Sequence, residues 1–465
     1  MSFVVYDLIF LVLFTLATVV FLYKRRHKLQ RQGILYLYRT KVGLRVIEFV
    51  SKKYANILRP LQYVILVSGY ALMVACIWMI VKLTYYYTVY SWFVKAIKIP
   101  PIIPLVPYLP NLFKVDYLPP LYFTYWILII AIIAVSHEFA HGIFARLNNI
   151  RVKSTGFGFL GPFLAAFVEP DEKQMGKASK FAQLSILAAG TFANVVMTIL
   201  FGLIMWLFFV YSFSAAGVNF NAYGTAAINV GDIDSVNGIL FSDFDNLVLN
   251  DSLARVAVDD DVYLAPGTNL KKAVENKAVS IVVYENAPAV QMGLKGPIVS
   301  IDGVQTKNIQ ELSNELLKHN PGEIVEIGTI EDNKLEIKSI ELGEREGKAY
   351  LGIGINKPSR KGVSGWFYGL IEKIKDPAVY YSPTWGGDFA WFVYYLLWWI
   401  VLINLSVALM NMLPVGIFDG GRFFYLSVWG ITGKEKIGRV AFKISTWFFL
   451  AIAVWLMVRW AFAYI

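Results

Sequence analysis

Two histidines and a glutamate in the pattern His137-Glu138-Phe139-Ala140-His141 are the residues of this chain best placed to do chemistry. Residues four apart share one face of a helix, so both imidazoles can grip a single cation. The glutamate beside the first can take a proton from water activated at that ion. The chain holds only 4 histidines, so two of them at this spacing around a glutamate make a specific signal. The motif follows Leu121 to Val135, an apolar run long enough to belong to a membrane span. Ionisable groups at that depth are costly, and by default they mark function. The competing reading is a structural histidine pair, satisfied by polar neighbours on a buried helix.

The rest of the chain must carry that helix in a bilayer. Of 465 residues, 57% are hydrophobic and 16% charged, the balance of an integral membrane protein with some soluble mass. The net charge of +10 does not imply nucleic acid, because the basic residues cluster beside apolar runs, as in cytoplasmic loops. Spans are expected at 3–23, 61–81, 121–145, 184–211, 390–412 and 444–464, the first of them uncleaved. Residues 24–60 hold eleven Lys and Arg against one acid, Glu48. That asymmetry puts this loop in the cytoplasm and the N-terminus outside; a lipid-headgroup-binding arm would give the same orientation. The proline- and aromatic-rich segment 83–120 reads as external and interfacial. The third span then returns inward, with the histidine motif toward its cytoplasmic end. Gly156, Gly158, Gly161 and Pro162 break up 150–182. Irregular backbone at membrane depth must be covered by protein or a wet cavity, so short strands or a re-entrant loop beside the metal are expected there.

Two histidines supply two ligands, whereas a catalytic zinc takes three and keeps one position open. The single cysteine, Cys76, excludes a cysteine-based site and any intrachain disulfide. A carboxylate must therefore complete the set. Asp419 lies beyond the Pro414-Val415-Gly416 break at the inner end of the fifth span, on the same membrane face as the histidines. It is the expected third ligand; the alternative is a loop aspartate opening an Asp-Gly turn. Asn194, in the fourth span near Ala188-Ala189-Gly190, must face the protein interior. An interhelical hydrogen bond and contact with a substrate backbone are both open for it.

Residues 213–365 change character, and an inserted extramembrane domain on the outer face is expected. Eight aspartates in 231–262 lack the twelve-residue calcium-loop pattern and read as a solvated acidic surface. Ser280–Tyr284 and Pro297–Ile301 are strand candidates, followed by an Asp302-Gly303 turn. Asn308 and Glu311 open a helix over 309–319, and 323–330 is a further strand. This order resembles the second half of a PDZ-like domain, a class that takes extended peptides by strand addition. A small α+β domain without a groove is the alternative. His319 is expected in solvent, and 366–388 as an interfacial approach to the membrane.

His137-Glu138-x-x-His141, Gly190-x-x-x-Asn194 and Asn411-x-Leu413-Pro414-x-x-x-x-Asp419-Gly420 look like the three signature motifs of the site-2 protease family, the intramembrane zinc metalloproteases. The Ala166–Asp171 stretch is similar to that family's archaeal and eukaryotic branch. The resemblance covers 121–212 and 390–430. It implies one zinc held by His137, His141 and Asp419, Glu138 as catalytic acid/base, and Asn194 and Asn411 holding the substrate strand. Thr191, where the family often has proline, and Phe418, where it usually has leucine, are departures that touch packing rather than ligation.

The architecture expected is thus a polytopic α-helical membrane protein of about six transmembrane helices, with a small re-entrant β element and an inserted α+β, PDZ-like domain. Its parts would be 1–82, two spans and a basic loop; 83–120, the external segment; 121–212, the catalytic core; 213–365, the extramembrane domain; and 366–465, with the third ligand and last span. The expected setting is the plasma membrane, with the active site toward the cytoplasm. The expected partners are membrane-spanning protein substrates and lipid, not nucleic acid. Peptide binding and a size-filtering role are both left open for the extramembrane domain. The rivals are a prenyl-protein-processing type of membrane protease, which takes a downstream glutamate as third ligand, and a zinc transporter or scaffold without proteolysis.

Overall fold

The computed structural model describes residues 3–32, 35–90, 100–103, 105–109, 118–160, 163–246, 249–331, 334–355, 369, 372 and 375–464. It contains two compact units, 1–208 with 391–465, and 209–390.

The first unit is built on helices. In chain order these are α1 (Phe3–Arg25), α2 (Leu44–Lys53), α3 (Ala55–Val89), α4 (Phe123–Leu147), α5 (Glu172–Lys177), α6 (Lys180–Ser212), α7 (Asp388–Asn411), α8 (Asp419–Thr432) and α9 (Glu435–Tyr464). Among the described residues, six helices are long and apolar enough to cross a membrane: α1, α3, α4, α6, α7 and α9. Helices suit such sequences because each satisfies its backbone internally where no water can.

The start of α4 shows how the helices are tied together. Tyr122, its N-cap residue, gives no side-chain cap. Asp7 of α1 substitutes for it, accepting from the Phe123 amide at 2.7 Å and the Thr124 amide at 2.9 Å. The Thr124 hydroxyl (2.6 Å) and the Tyr108 hydroxyl also donate to Asp7. A carboxylate at a helix N-terminus meets both the orphan amides and the positive end of the helix dipole. At the other end Asn148 donates to the Phe144 carbonyl at 2.8 Å, and Asn149 takes the left-handed conformation (φ 61°) that stops the helix.

Small residues bring the helices close. A Cβ on Gly69 of α3 would come within 2.9 Å of the Ala188 methyl on α6. One on Gly142 of α4 would come within 2.8 Å of Ile47 on α2. The buried cluster there includes Ile47, Ile65, Phe144, Ile186, Ala188, Ala189, Met412 and Phe423.

Four strands complete the unit: β1 (Leu29–Gln32), β2 (Leu35–Thr40), β3 (Val152–Leu160) and β4 (Phe163–Pro170), antiparallel in that order. The β3–β4 hairpin falls in the glycine-punctuated stretch where short strands were expected. The basic segment 24–60, read as a loop, instead contributes β1, β2 and α2. Its Leu35-Tyr36-Leu37-Tyr38 alternation pairs with β3, Tyr36 opposite Phe159 and Tyr38 opposite Phe157. Gly156 permits the approach, since a Cβ there would strike the Tyr38 carbonyl and the Phe167 ring. Arg39 of β2 reaches across to Glu169 of β4 at 2.9 Å, and Ser154 joins that carboxylate at 2.7 Å. The flanking charge hid a two-residue periodicity only four residues long. Helix α8 was likewise not foreseen.

Among the described residues the second unit holds two small two-stranded pairs, Gly343–Arg345 with Lys348–Tyr350 and Ala222–Tyr223 with Ile353–Gly354, and two large sheets with separate cores. One runs Thr225–Asn229, Ser280–Glu285, Asp261–Pro266, Leu253–Val258, Ser235–Val236 and Ile239–Leu240 around Val236, Val256, Leu270 and Val283. The other runs Lys334–Glu341, Ile324–Glu331, Ile298–Ile301, Phe213–Val218 and Val379–Pro383 around Ile298, Ile301, Leu312 and Ile327. Local signals are realised. Asn308 accepts from the Glu311 amide at 2.9 Å and opens the helix Ile309–Leu316. Asp302 and Gly303, both at positive φ, make the turn between Ile298–Ile301 and Val304–Gln305. One reading is corrected: His319 is half-buried, 2.8 Å from Glu323, rather than in solvent. Ser280–Glu285 is a strand, as expected, and lies in the other sheet from Ile298–Ile301. Val379–Pro383, inside the stretch expected as an interfacial approach, is a strand paired with Phe213–Val218.

Candidate metal centre

Helix α4 carries His137 and His141 on one face, as their spacing requires. Their rings lie 4.6 Å apart at 80° to each other, with the two Nε2 atoms 3.0 Å apart. Asp419 comes to them from the first turn of α8. The chain leaves α7 at Asn411, turns through Met412–Phe418 and re-enters helix at Asp419. Gly420 and Gly421 make that turn possible: a Cβ on Gly420 would strike the Met412 carbonyl, and one on Gly421 would come within 2.7 Å of the Val415 carbonyl carbon. Asp419 Oδ2 ends 3.3 Å from His137 Nε2 and 3.3 Å from His141 Nε2.

Three potential ligand atoms thus form a triangle with edges of 3.0, 3.3 and 3.3 Å. Bonds of about 2.0–2.1 Å from a tetrahedral zinc would set ligand atoms about 3.3 Å apart. Two nitrogens and one carboxylate oxygen are also a donor set that zinc accepts. Space is reserved for the group. A Cβ on Gly190 of α6 would lie 2.6 Å from His137 Nε2 and strike His141 Nε2. The residues present therefore fit the ion that the sequence implies.

The outer contacts complete the picture. The second ring nitrogen of His141, Nδ1, sits 2.7 Å from the Ile186 carbonyl of α6. A ligating histidine usually donates its other N–H in this way, which fixes its tautomer and tilt. The second nitrogen of His137 faces the side-chain amide of Asn194, 3.1 Å away. Glu138 points to β4, where one carboxylate oxygen accepts from the Val168 amide at 2.9 Å. That bond pins the edge strand of the sheet beside α4.

Of the residues singled out from sequence, His137, Glu138, His141, Asn194 and Asp419 gather around one point. Asn411 closes α7 and is half-buried, eight positions before Asp419. Asn194 is fully buried. Sequence reasoning missed the Ile186 carbonyl and the Val168 amide, which are backbone groups with no side-chain signature. It also left Gly190 as a packing residue. The spacing 186, 190, 194 on α6 was the available signal.

The model of peptidase family M50 matches residues 125–454. The zinc metalloprotease RasP of Shouchella clausii (strain KSM-K16) is 24% identical over 227 residues, which is 42% of this chain and 53% of that protein. The chain thus spans about half the length of that relative.

Proposed function

Because the chain belongs to peptidase family M50, the site-2 protease family, we propose that it is an intramembrane zinc metalloprotease that hydrolyses peptide bonds in or near the transmembrane helices of membrane-anchored proteins. The observation that carries this reading is the triangle of His137, His141 and Asp419 with Glu138 beside it and the edge of β4 held against Glu138.

His137, His141 and Asp419 would hold the ion. Zinc bound there would supply a Lewis acid for the scissile carbonyl and would make water at the site far more acidic than in bulk. Glu138 takes a proton from the attacking water and returns it to the leaving amine. Its bond to the Val168 amide keeps the carboxylate aimed while it does so. A helical substrate hides its carbonyls in its own hydrogen bonds, so it must unwind before it can be cut. Among the described residues β4 ends its sheet, so apart from the Val168 amide that Glu138 holds, its edge would offer pairing to that extended segment. The Val168 amide points away from β3, and by the two-residue alternation so does that of Ala166. The eleven basic residues of 24–60 support a cytoplasmic-side active site.

Asp419→Ala tests the ligand set. The variant is expected to lose zinc while its six spans still insert. Full zinc occupancy in that variant would exclude Asp419 and favour the prenyl-protein-processing type, whose third ligand is a glutamate.

A further inference from the structure

Helix α6 lies against the two histidines with one stripe of residues, Ile186, Gly190 and Asn194, at i, i+4 and i+8. Ile186 meets His141 Nδ1 with its carbonyl, and Gly190 leaves room at both Nε2 atoms. Asn194 meets His137 Nδ1 with its side-chain amide. His137 Nε2 belongs to the ligand triangle. A ring nitrogen that ligates a cation carries no proton, so the one proton of the neutral ring sits on Nδ1 and must be donated. Yet the Asn194 atom 3.1 Å from Nδ1 is Nδ2, itself a donor. Its Oδ1, the acceptor that Nδ1–H needs, is buried and has no partner among the described residues.

An amide nitrogen and oxygen exchange places by a half-turn of the side-chain amide, with almost no change of shape. That half-turn removes a donor–donor contact and gives the orphaned oxygen a partner. We infer that Asn194 is the positioning residue of His137, with its side-chain oxygen accepting from His137 Nδ1–H. α6 then orients both imidazoles, by a backbone carbonyl for His141 and a side-chain carbonyl for His137. This rests on the reading of His137 as a ligand through Nε2. It assigns Asn194 to the metal centre rather than to the substrate strand, a role its complete burial does not favour.

The two roles predict different losses. A substrate contact affects cleavage and leaves zinc alone. A positioning contact acts on zinc affinity, by about 10–100-fold for a lost outer partner. The test measures the zinc dissociation constant of the full chain in detergent by chelator competition, with thermal unfolding of the metal-free protein in parallel. Asn194→Leu keeps the approximate volume without an acceptor. Asn194→Asp offers an acceptor at the same place and no donor. The expected result is zinc affinity about 10–100-fold weaker for Asn194→Leu and wild-type or tighter for Asn194→Asp. Wild-type affinity in Asn194→Leu would overturn the inference. Equal weakening in both variants would also overturn it, since packing rather than the acceptor would then be at work. Should Asn194→Leu not fold, weakened binding by folded Asn194→Asp decides against it and retained binding decides for it. His137→Ala runs alongside: if that variant binds zinc normally, the ligand set itself is wrong, a failure separate from that of Asn194.

Discussion

Gly190 contributes nothing but space, and the proposed metal centre depends on that space. Alanine is the better helix former by about 1 kcal/mol, so nothing in the helix itself asks for glycine here. The added methyl carbon would sit 2.6 Å from His137 Nε2. Gly190→Ala is therefore expected to fold, with zinc affinity reduced at least about tenfold, as for other disturbed outer contacts. Undiminished zinc binding would mean that the imidazoles do not stand where α6 meets them. At this scale the sequence was most informative where geometry is covalent. His137 and His141 lie one helical turn apart, so their convergence follows from the chain alone. Asp419 is 282 positions from His137, and reaching it needed the count of spans and the charge of the loops. The Ile186 carbonyl could not be read at all, because any residue type provides a carbonyl.

Among the elements, α4 must be held at a fixed depth and tilt for its histidines to meet α6 and α8. Asp7 does part of this from α1. It was visible as the lone acid in an apolar span, but the partners it caps, 116 and 117 positions away, were not. Asp7→Ala strips the Phe123 and Thr124 amides of their acceptor in a water-poor setting. A loss of about 3 kcal/mol in stability is expected, read from thermal unfolding in detergent, with Asp7→Asn intermediate. Unchanged stability would show that α1 is not anchored through this residue. The sheet is the second positioning element. Its β3–β4 half was legible in the glycines, whereas β1 and β2 were concealed by short length and by the charge around them. Ala166→Pro probes its free edge. The substitution removes an outward amide and no bond to β3, a tolerable change on an edge strand. Cleavage should fall by about tenfold, the equivalent of one hydrogen bond of roughly 1.4 kcal/mol, with zinc content unchanged. Equal cleavage would mean that substrate does not pair at Ala166.

For the whole molecule, a chain with six helices long and apolar enough to cross a membrane among its described residues carries an inserted unit with cores of its own. Local signals in that unit, such as the Asn308 cap and the Asp302-Gly303 turn, were readable because they depend on a few adjacent residues. Strand partnership was not. Ser280–Glu285 and Ile298–Ile301 lie close in sequence but belong to different sheets, since pairing is decided by burial over long separations. The central claim concerns the membrane unit, and one measurement addresses it directly. Purified protein in detergent is given a membrane-embedded helical reporter, wild type beside Glu138→Gln, with zinc counted in both. Glu138 is not a ligand, so about one zinc is expected in each, and cleavage by the wild type alone. Cleavage that persists in Glu138→Gln, or a wild type that cuts without zinc, would contradict the account.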